Sequence, residues 1–153
     1  MPSSTVLPVV NALASIFAGV APAGCPVSVG PPPGGDVPAS YIAVGYGGDN
    51  TPSVVGVNEQ PDMGNWGAQA KERYGVWCVV STSSGDELGA ARLAATSTIY
   101  ETLVTAVRAN RTLNGAIRSP AVADVGPFTW TIEEGGMVAT VAFQVLLDVP
   151  WVG

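Results

Sequence analysis

Two adjacent acid pairs, Asp86-Glu87 and Glu133-Glu134, are the residues of this chain best suited to acid–base chemistry. Neighbouring carboxylates whose pKa values are pushed apart can divide the roles of acid and base, but only when they are positioned in a cleft. Neither pair reads that way. Asp86-Glu87 stands where Ser84 and Glu87 fit a helix capping box, and Glu133-Glu134 precedes Gly135-Gly136 at a hairpin turn, so both read as solvated. The chain has no histidine, which excludes Ser–His and Cys–His nucleophiles and every histidine-containing metal site. No G-x-S-x-G turn surrounds Ser83 or Ser84. Cys25 and Cys78 are too few for a disulfide scaffold and too far apart for a zinc knuckle, and they read as buried thiols. Gly45 and Gly47 begin a turn like that of a dinucleotide-binding loop, but the third glycine is replaced by Asn50 and no helix follows to hold a phosphate. The expectation is a protein that is not an enzyme and carries no cofactor and no metal.

The composition asks a different question. Hydrophobic residues make up 47% of the 153-residue chain and charged residues only 12%, against about a quarter charged in an ordinary soluble domain. A membrane span, a secreted disulfide scaffold, or a subunit that hides its surface against neighbours would each explain the shortfall. The longest apolar run, Val6 to Ala23, is interrupted by Pro8, Asn11, Ser15 and Pro22. Its large residues recur every three or four positions, which describes an amphipathic helix rather than a spanning one. No basic residue precedes Lys71, so the start lacks the basic region of a secretory signal. A soluble, unprocessed chain with no membrane partner is expected.

The charges are segregated. Residues 1–70 hold four acids and no base, residues 71–118 hold all six bases against four acids, and residues 119–153 hold four acids; the chain totals −6. An acidic chain is a poor phosphate binder, whereas unlike ends suit subunits that pack front to back.

The pattern predicts a single α+β domain over residues 1–153: a mixed, mostly antiparallel β-sheet packed against two helices, with a C-terminal β-hairpin. Residues 1–7 read as an arm, and Pro8 opens a helix to about Ala18. Short strands follow at "CPVSVG" and "SYIAVGY". A loop at 47–69 then carries five glycines and two prolines, a length usual only for functional or disordered segments. Alternation from Ala70 to Thr82 predicts a long third strand, with Tyr74, Val76, Cys78 and Val80 on one side. The main helix runs from the Ser84 box to about Asn110, burying Leu88, Ala91, Ala95, Ile99, Leu103 and Ala106. A strand near Ala121 to Val125 precedes the hairpin. Its first arm should bury Phe128, Trp130 and Ile132. Its second arm should bury Met137, Ala139, Val141, Phe143, Val145, Leu147 and Val149, leaving a mixed opposite face that suggests cover by another element or subunit.

This order of elements, carried by "CPVSVG…SYIAVGYG", "IYETLVTAVRANRTLNG" and "FTWTIEEGGMVATVAFQVLL", resembles the tail terminator proteins of long-tailed (siphovirus-type) bacteriophages. The resemblance spans nearly the whole chain. It implies a virion protein of the tail neck, assembled in the host cytoplasm as a homohexameric ring. Such a ring caps the head-proximal end of the tail tube, stops its polymerisation and receives the head-completion or connector protein. Its partners would be other copies of itself, the major tail tube protein, that head-side protein, and genomic DNA that passes without specific binding. Met63, Trp66 and Trp151 would be assembly contacts, since large side chains in a loop or at a terminus serve as interface anchors. Asp49, Glu59, Asp62, Glu133 and Glu134 are the candidates for a negative lumen, and the long loop is expected to be ordered by contacts outside its own subunit. Another neck or tube subunit, such as a head-completion protein, shares the low charge and the hairpin. A small carboxylate-based enzyme or ligand binder is the alternative from a different class. On the charge argument, double-stranded DNA should bind the isolated protein at about 10⁻⁴ M or more weakly at physiological salt. A filter-binding titration against salt checks this, and tight, salt-sensitive binding would contradict it.

Overall fold

The computed structural model describes residues 5–31, 40–47, 54–59, 71–83, 89–117, 122–133 and 138–150. The elements run α1 (Val6–Val20), β1 (Val27–Val29), β2 (Ser40–Val44), β3 (Val54–Glu59), β4 (Lys71–Ser83), α2 (Gly89–Ala109), β5 (Val122–Glu133) and β6 (Val138–Pro150). They form one six-stranded sheet in the order β1-β2-β4-β6-β5, with β3 also paired to β4. Only β1 and β2 run parallel; every other pair is antiparallel. The α+β expectation therefore holds.

The long pair β4–β6 is the axis of the sheet, in register from Lys71↔Pro150 to Ser83↔Val138. Strand alternation puts Val76, Cys78 and Val80 of β4 beside Val145, Phe143 and Val141 of β6, and all six are fully buried. Both helices cover this face. α1 packs on β1, β2 and α2, while α2 packs on β4, β5 and β6. Phe143 is the hinge of the packing, with its ring 6.4 Å from Phe17 of α1 and 5.1 Å from Tyr100 of α2. The expected buried face of β6 is found at Ala139, Val141, Phe143, Val145, Leu147 and Val149. Burial in this apolar setting pushes the Cys78 thiol up to about 12 and raises that of Cys25, and both cysteines are free.

Five expectations are corrected. α1 begins at Val6 rather than at Pro8, so the arm is shorter than 1–7; Thr5 caps it, and the Val9 N–H bonding back to the Thr5 carbonyl at 2.9 Å is an i→i−4 bond. Pro8 still falls inside the first turn, where no N–H is needed. Within the expected 47–69 loop lies β3, paired from Val54↔Val76 to Glu59↔Lys71. Part of that segment is therefore ordered by its own subunit, because β4 is long enough to pair with β2 through Cys78–Thr82 and with β3 through Lys71–Val76 along the same edge. The strand near Ala121 and the first hairpin arm are one strand, β5, broken by an irregularity between Val125 and Phe128. On α2 the buried residues are Thr96, Ile99, Leu103 and Val107, while Ala91 is exposed and Ala95 and Ala106 only half-buried. The stripe is turned by one position because Thr96 has a partner in the core. Its hydroxyl lies 2.7 Å from that of Thr82 and donates to the Arg92 carbonyl at 2.8 Å. The fifth correction, Phe128 and Ile132, belongs to the edge of the sheet and is taken up below. The Ser84 capping box lies outside the described residues.

After α2 the chain turns through Leu113, Asn114 and Gly115, all at positive φ. Leu113 is held in that costly region by full burial, and Asn114 by a pair of bonds with Asn110, side chain to side chain at 2.6 Å and N–H to Oδ1 at 3.0 Å. The second sheet face mixes small residues with Trp77, Gln144 and Leu146. Leu146 lies across it between Gly75 and Gly126; a Cβ on Gly126 would stand 2.5 Å from Leu146 Cδ1.

Phe143→Ala should cost about 3–5 kcal/mol, since it empties the space shared by both helices. Thr96→Val should cost about 1–3 kcal/mol by stripping a buried hydroxyl pair. Urea unfolding followed by circular dichroism and fluorescence checks both, and a Phe143→Ala loss below 1 kcal/mol would contradict the packing.

Candidate assembly surface

At the β5 end the sheet runs out before its apolar residues do. α2 turns a second stripe toward β5, with Leu93, Tyr100 and Arg108 at spacings that share one helix side. Across from it, the register Phe128↔Phe143, Trp130↔Val141 and Ile132↔Ala139 sets the three β5 side chains on the helix-covered face. Tyr100 is the centre of this cluster: its ring lies 5.9 Å from Phe128, 5.8 Å from Trp130 in an edge-on arrangement, and 5.1 Å from Phe143. Offset and edge-on ring pairs of this kind add modestly to burial and fix the rings in place.

The expected burial of Phe128 and Ile132 is corrected here. They are 54% and 47% exposed, Trp130 is half-buried and Leu93 is 36% exposed. The reason is position. β5 is the last strand on its side, and α2 lies over β4 and β6 as well as β5, so its width ends above the outermost strand. What remains is an apolar row about one strand long beside a backbone edge that pairs with no other described strand.

The foot of this edge is charged. Asp124 takes Arg108 Nε at 3.2 Å, lies 4.0 Å from Arg111 Nη2, and accepts the Val125 N–H at 2.8 Å. That backbone N–H first, then the Arg108 guanidinium, holds its carboxyl below the usual carboxylate range. Burial raises the Tyr100 hydroxyl, partly offset by Arg108. On the opposite sheet face Arg73 meets Asp148 at 3.5 Å, both half exposed. Two grooves of about 470 and 420 Å³ lie at the C-terminal end of α1, one lined by Ala18, Pro22, Cys25 and Val27 and one by Val20, Thr98, Glu101 and Thr105. Neither brings two titratable carboxylates together. Among the described residues no three His, Cys, Asp or Glu side chains are grouped to hold a metal, and no helix is long and apolar enough to cross a membrane.

Of the residues singled out in the sequence, Asp49, Asp62, Met63, Trp66, Glu134 and Trp151 lie outside the described residues. The two that can be placed, Glu59 and Glu133, are not brought together. Glu59 ends β3 across from Lys71, while Glu133 ends β5 across from Val138, which itself pairs with Ser83. They stand at opposite ends of the 13-residue β4, a separation of roughly 40 Å along the strand. The exposed row at Phe128, Ile132 and Leu93 has no signal in the sequence, where the alternation of Phe128, Trp130 and Ile132 predicts a buried face.

Asp124→Asn should lower stability by less than about 1 kcal/mol, because the pair is solvent-screened. A carboxyl held low in the folded state adds stability above its unfolded pKa and loses it as pH falls. The gap between the two proteins should therefore be full at neutral pH, shrink from about pH 4 downward, and vanish below the lowered folded value. Melting temperatures of both proteins from pH 7 to pH 2 check this; a gap that widens in acid would contradict it.

Sequence comparison matches the chain to no family model and to no curated protein. Among solved structures the fold is similar to a chain described as "Virion of native gene transfer agent (GTA) particle", at 11% identity and a TM-score of 0.44, over 91% of this chain and 84% of that one. A likeness at that level identifies no family.

Proposed function

We propose that this chain is a structural protein of a phage virion, a ring subunit that caps the head-proximal end of the tail tube, stops its polymerisation and joins the tail to the head-completion or connector complex. The observation that carries this reading is the end of the sheet at β5, whose outer edge pairs with no other described strand and is flanked by half-exposed Phe128 and Ile132. A chain with only 12% charged residues has little else to keep such an edge from other proteins. Closed, symmetric self-association buries it. The element order supports the tail-terminator form of this reading, with the ring expected to be six-fold.

Separation of Glu59 from Glu133 sharpens the lumen proposal. One ring level can draw its negative collar from the β3 end, where Asp49 and Asp62 flank the strand in sequence, or from the hairpin tip with Glu134, but a single narrow collar cannot use both. A negative wall lets like-charged DNA pass without lodging.

Native mass spectrometry and class-averaged electron micrographs of the purified protein should show closed rings. A stable monomer at tens of micromolar concentration, or tails of uncontrolled length that the protein fails to cap in an assembly assay, would overturn the reading. Replacing Glu133 and Glu134 with lysine in one variant, and Asp49 and Asp62 in another, should leave rings intact. Only the variant at the lumen level should gain salt-sensitive DNA retention, and equal gain by both would contradict a single collar.

A further inference from the structure

We propose that the β5 edge, with Phe128, Trp130 and Ile132, docks onto the β3 edge and the start of α1 of a second copy of this chain. The inference rests on the ring reading and names the surface that would close it.

The complementary features lie at opposite ends of one sheet. On one side β5 is outermost, and beyond its irregularity a regular stretch runs from Phe128 to Glu133. On the other, β3 is a 6-residue strand that pairs with no described strand but β4. Two unlike edges on opposite sides, each without a second partner among the described strands, favour a head-to-tail contact, which closes rings, over an edge meeting itself, which stops at a dimer.

The helix-covered face supplies matching apolar groups. Thr5, at the start of α1, lies 2.6 Å from the Tyr74 hydroxyl, and Tyr74 sits across from Gly56 of β3. The beginning of α1 therefore stands beside the β3 edge, and there Leu7 is 68% exposed. Phe128 and Ile132 stand in the same relation to the β5 edge, on the same face. Pairing the two edges would bring the β5 row toward the neighbour's Leu7.

These few side chains fall short of the ~800 Å² that each partner buries in a stable complex. Backbone pairing along the edge and the flanking helices must supply the rest, so the contact is a strand addition and not only an apolar patch.

Two single variants separate the surfaces. Ile132→Glu disables the donor end and Leu7→Glu the receiving end, at positions exposed enough to leave circular dichroism and melting unchanged; Phe128→Ser replaces the first should it fail to fold. Each should weaken association by about 30-fold or more, as loss of a central contact does, and run as a monomer by native mass spectrometry. An equimolar mixture should form one-to-one dimers, because each variant keeps the surface the other lacks. Rings from the unmodified protein and from both variants would overturn this surface while leaving the ring reading intact. A dimer of Leu7→Glu alone would overturn the head-to-tail arrangement. An unmodified protein that stays monomeric would overturn the ring reading itself.

Discussion

Everything in this fold hangs on the antiparallel pairing of β4 with β6. It is in register over the whole of both strands, and its helix-covered face joins Val76, Cys78 and Val80 to Val145, Phe143 and Val141 with no exposure. The other strands attach to one of these two, β2 and β3 to β4 and β5 to β6, except β1, which pairs with β2. Both helices reach it through Phe143. A pair this long has a consequence for the rest of the sheet. β4 offers more edge than one short strand can use, so β2 and β3 divide it, and neither strand on that side is as long as β5 on the other. The sheet is therefore unlike at its two ends.

The polar groups near the axis are those that alternation and helix packing would otherwise exclude. Thr82 and Thr96 are buried and share a hydroxyl contact, which satisfies both in an apolar setting where either alone would be costly. That contact sets which side of α2 faces the sheet, and through it the direction in which Leu93 and Tyr100 point. The width of α2 then decides where burial stops. Phe143 is covered, Trp130 half covered, and Phe128 and Ile132 left half open. Exposure at the β5 edge is thus a geometric remainder of good packing at the centre.

The low charge of the chain and its open edge are two sides of one physical problem. Soluble proteins protect a terminal strand with charges, prolines or a covering element. β5 has Asp124 at its foot, bound to Arg108, and an irregularity at Val125–Phe128, but its regular half is protected by neither. Among the described residues no other element covers it, and it is on this edge that the proposed association rests.

Local pattern was enough to determine the two helices, the strands at β1, β2, β4 and β6, the buried odd-numbered residues of β6, and the exclusion of histidine-based chemistry. Each follows from residue type or from a period of 2 or 3.6, which a segment carries within itself. The strand at β3 was not legible, because Val54–Glu59 is short and set among glycines and prolines; it becomes a strand only where β4 supplies a free edge. Thr96 replaced the alanines on the buried side of α2 for a reason that lies on another strand. The alternation of Phe128, Trp130 and Ile132 correctly shows that they share a face, but the cover over that face depends on which strand is last and how far a helix extends. Glu59 and Glu133 look alike in sequence, yet stand at opposite ends of β4. Periodicity tells which residues point together. Only the assembled sheet decides what stands over them and how far apart they are.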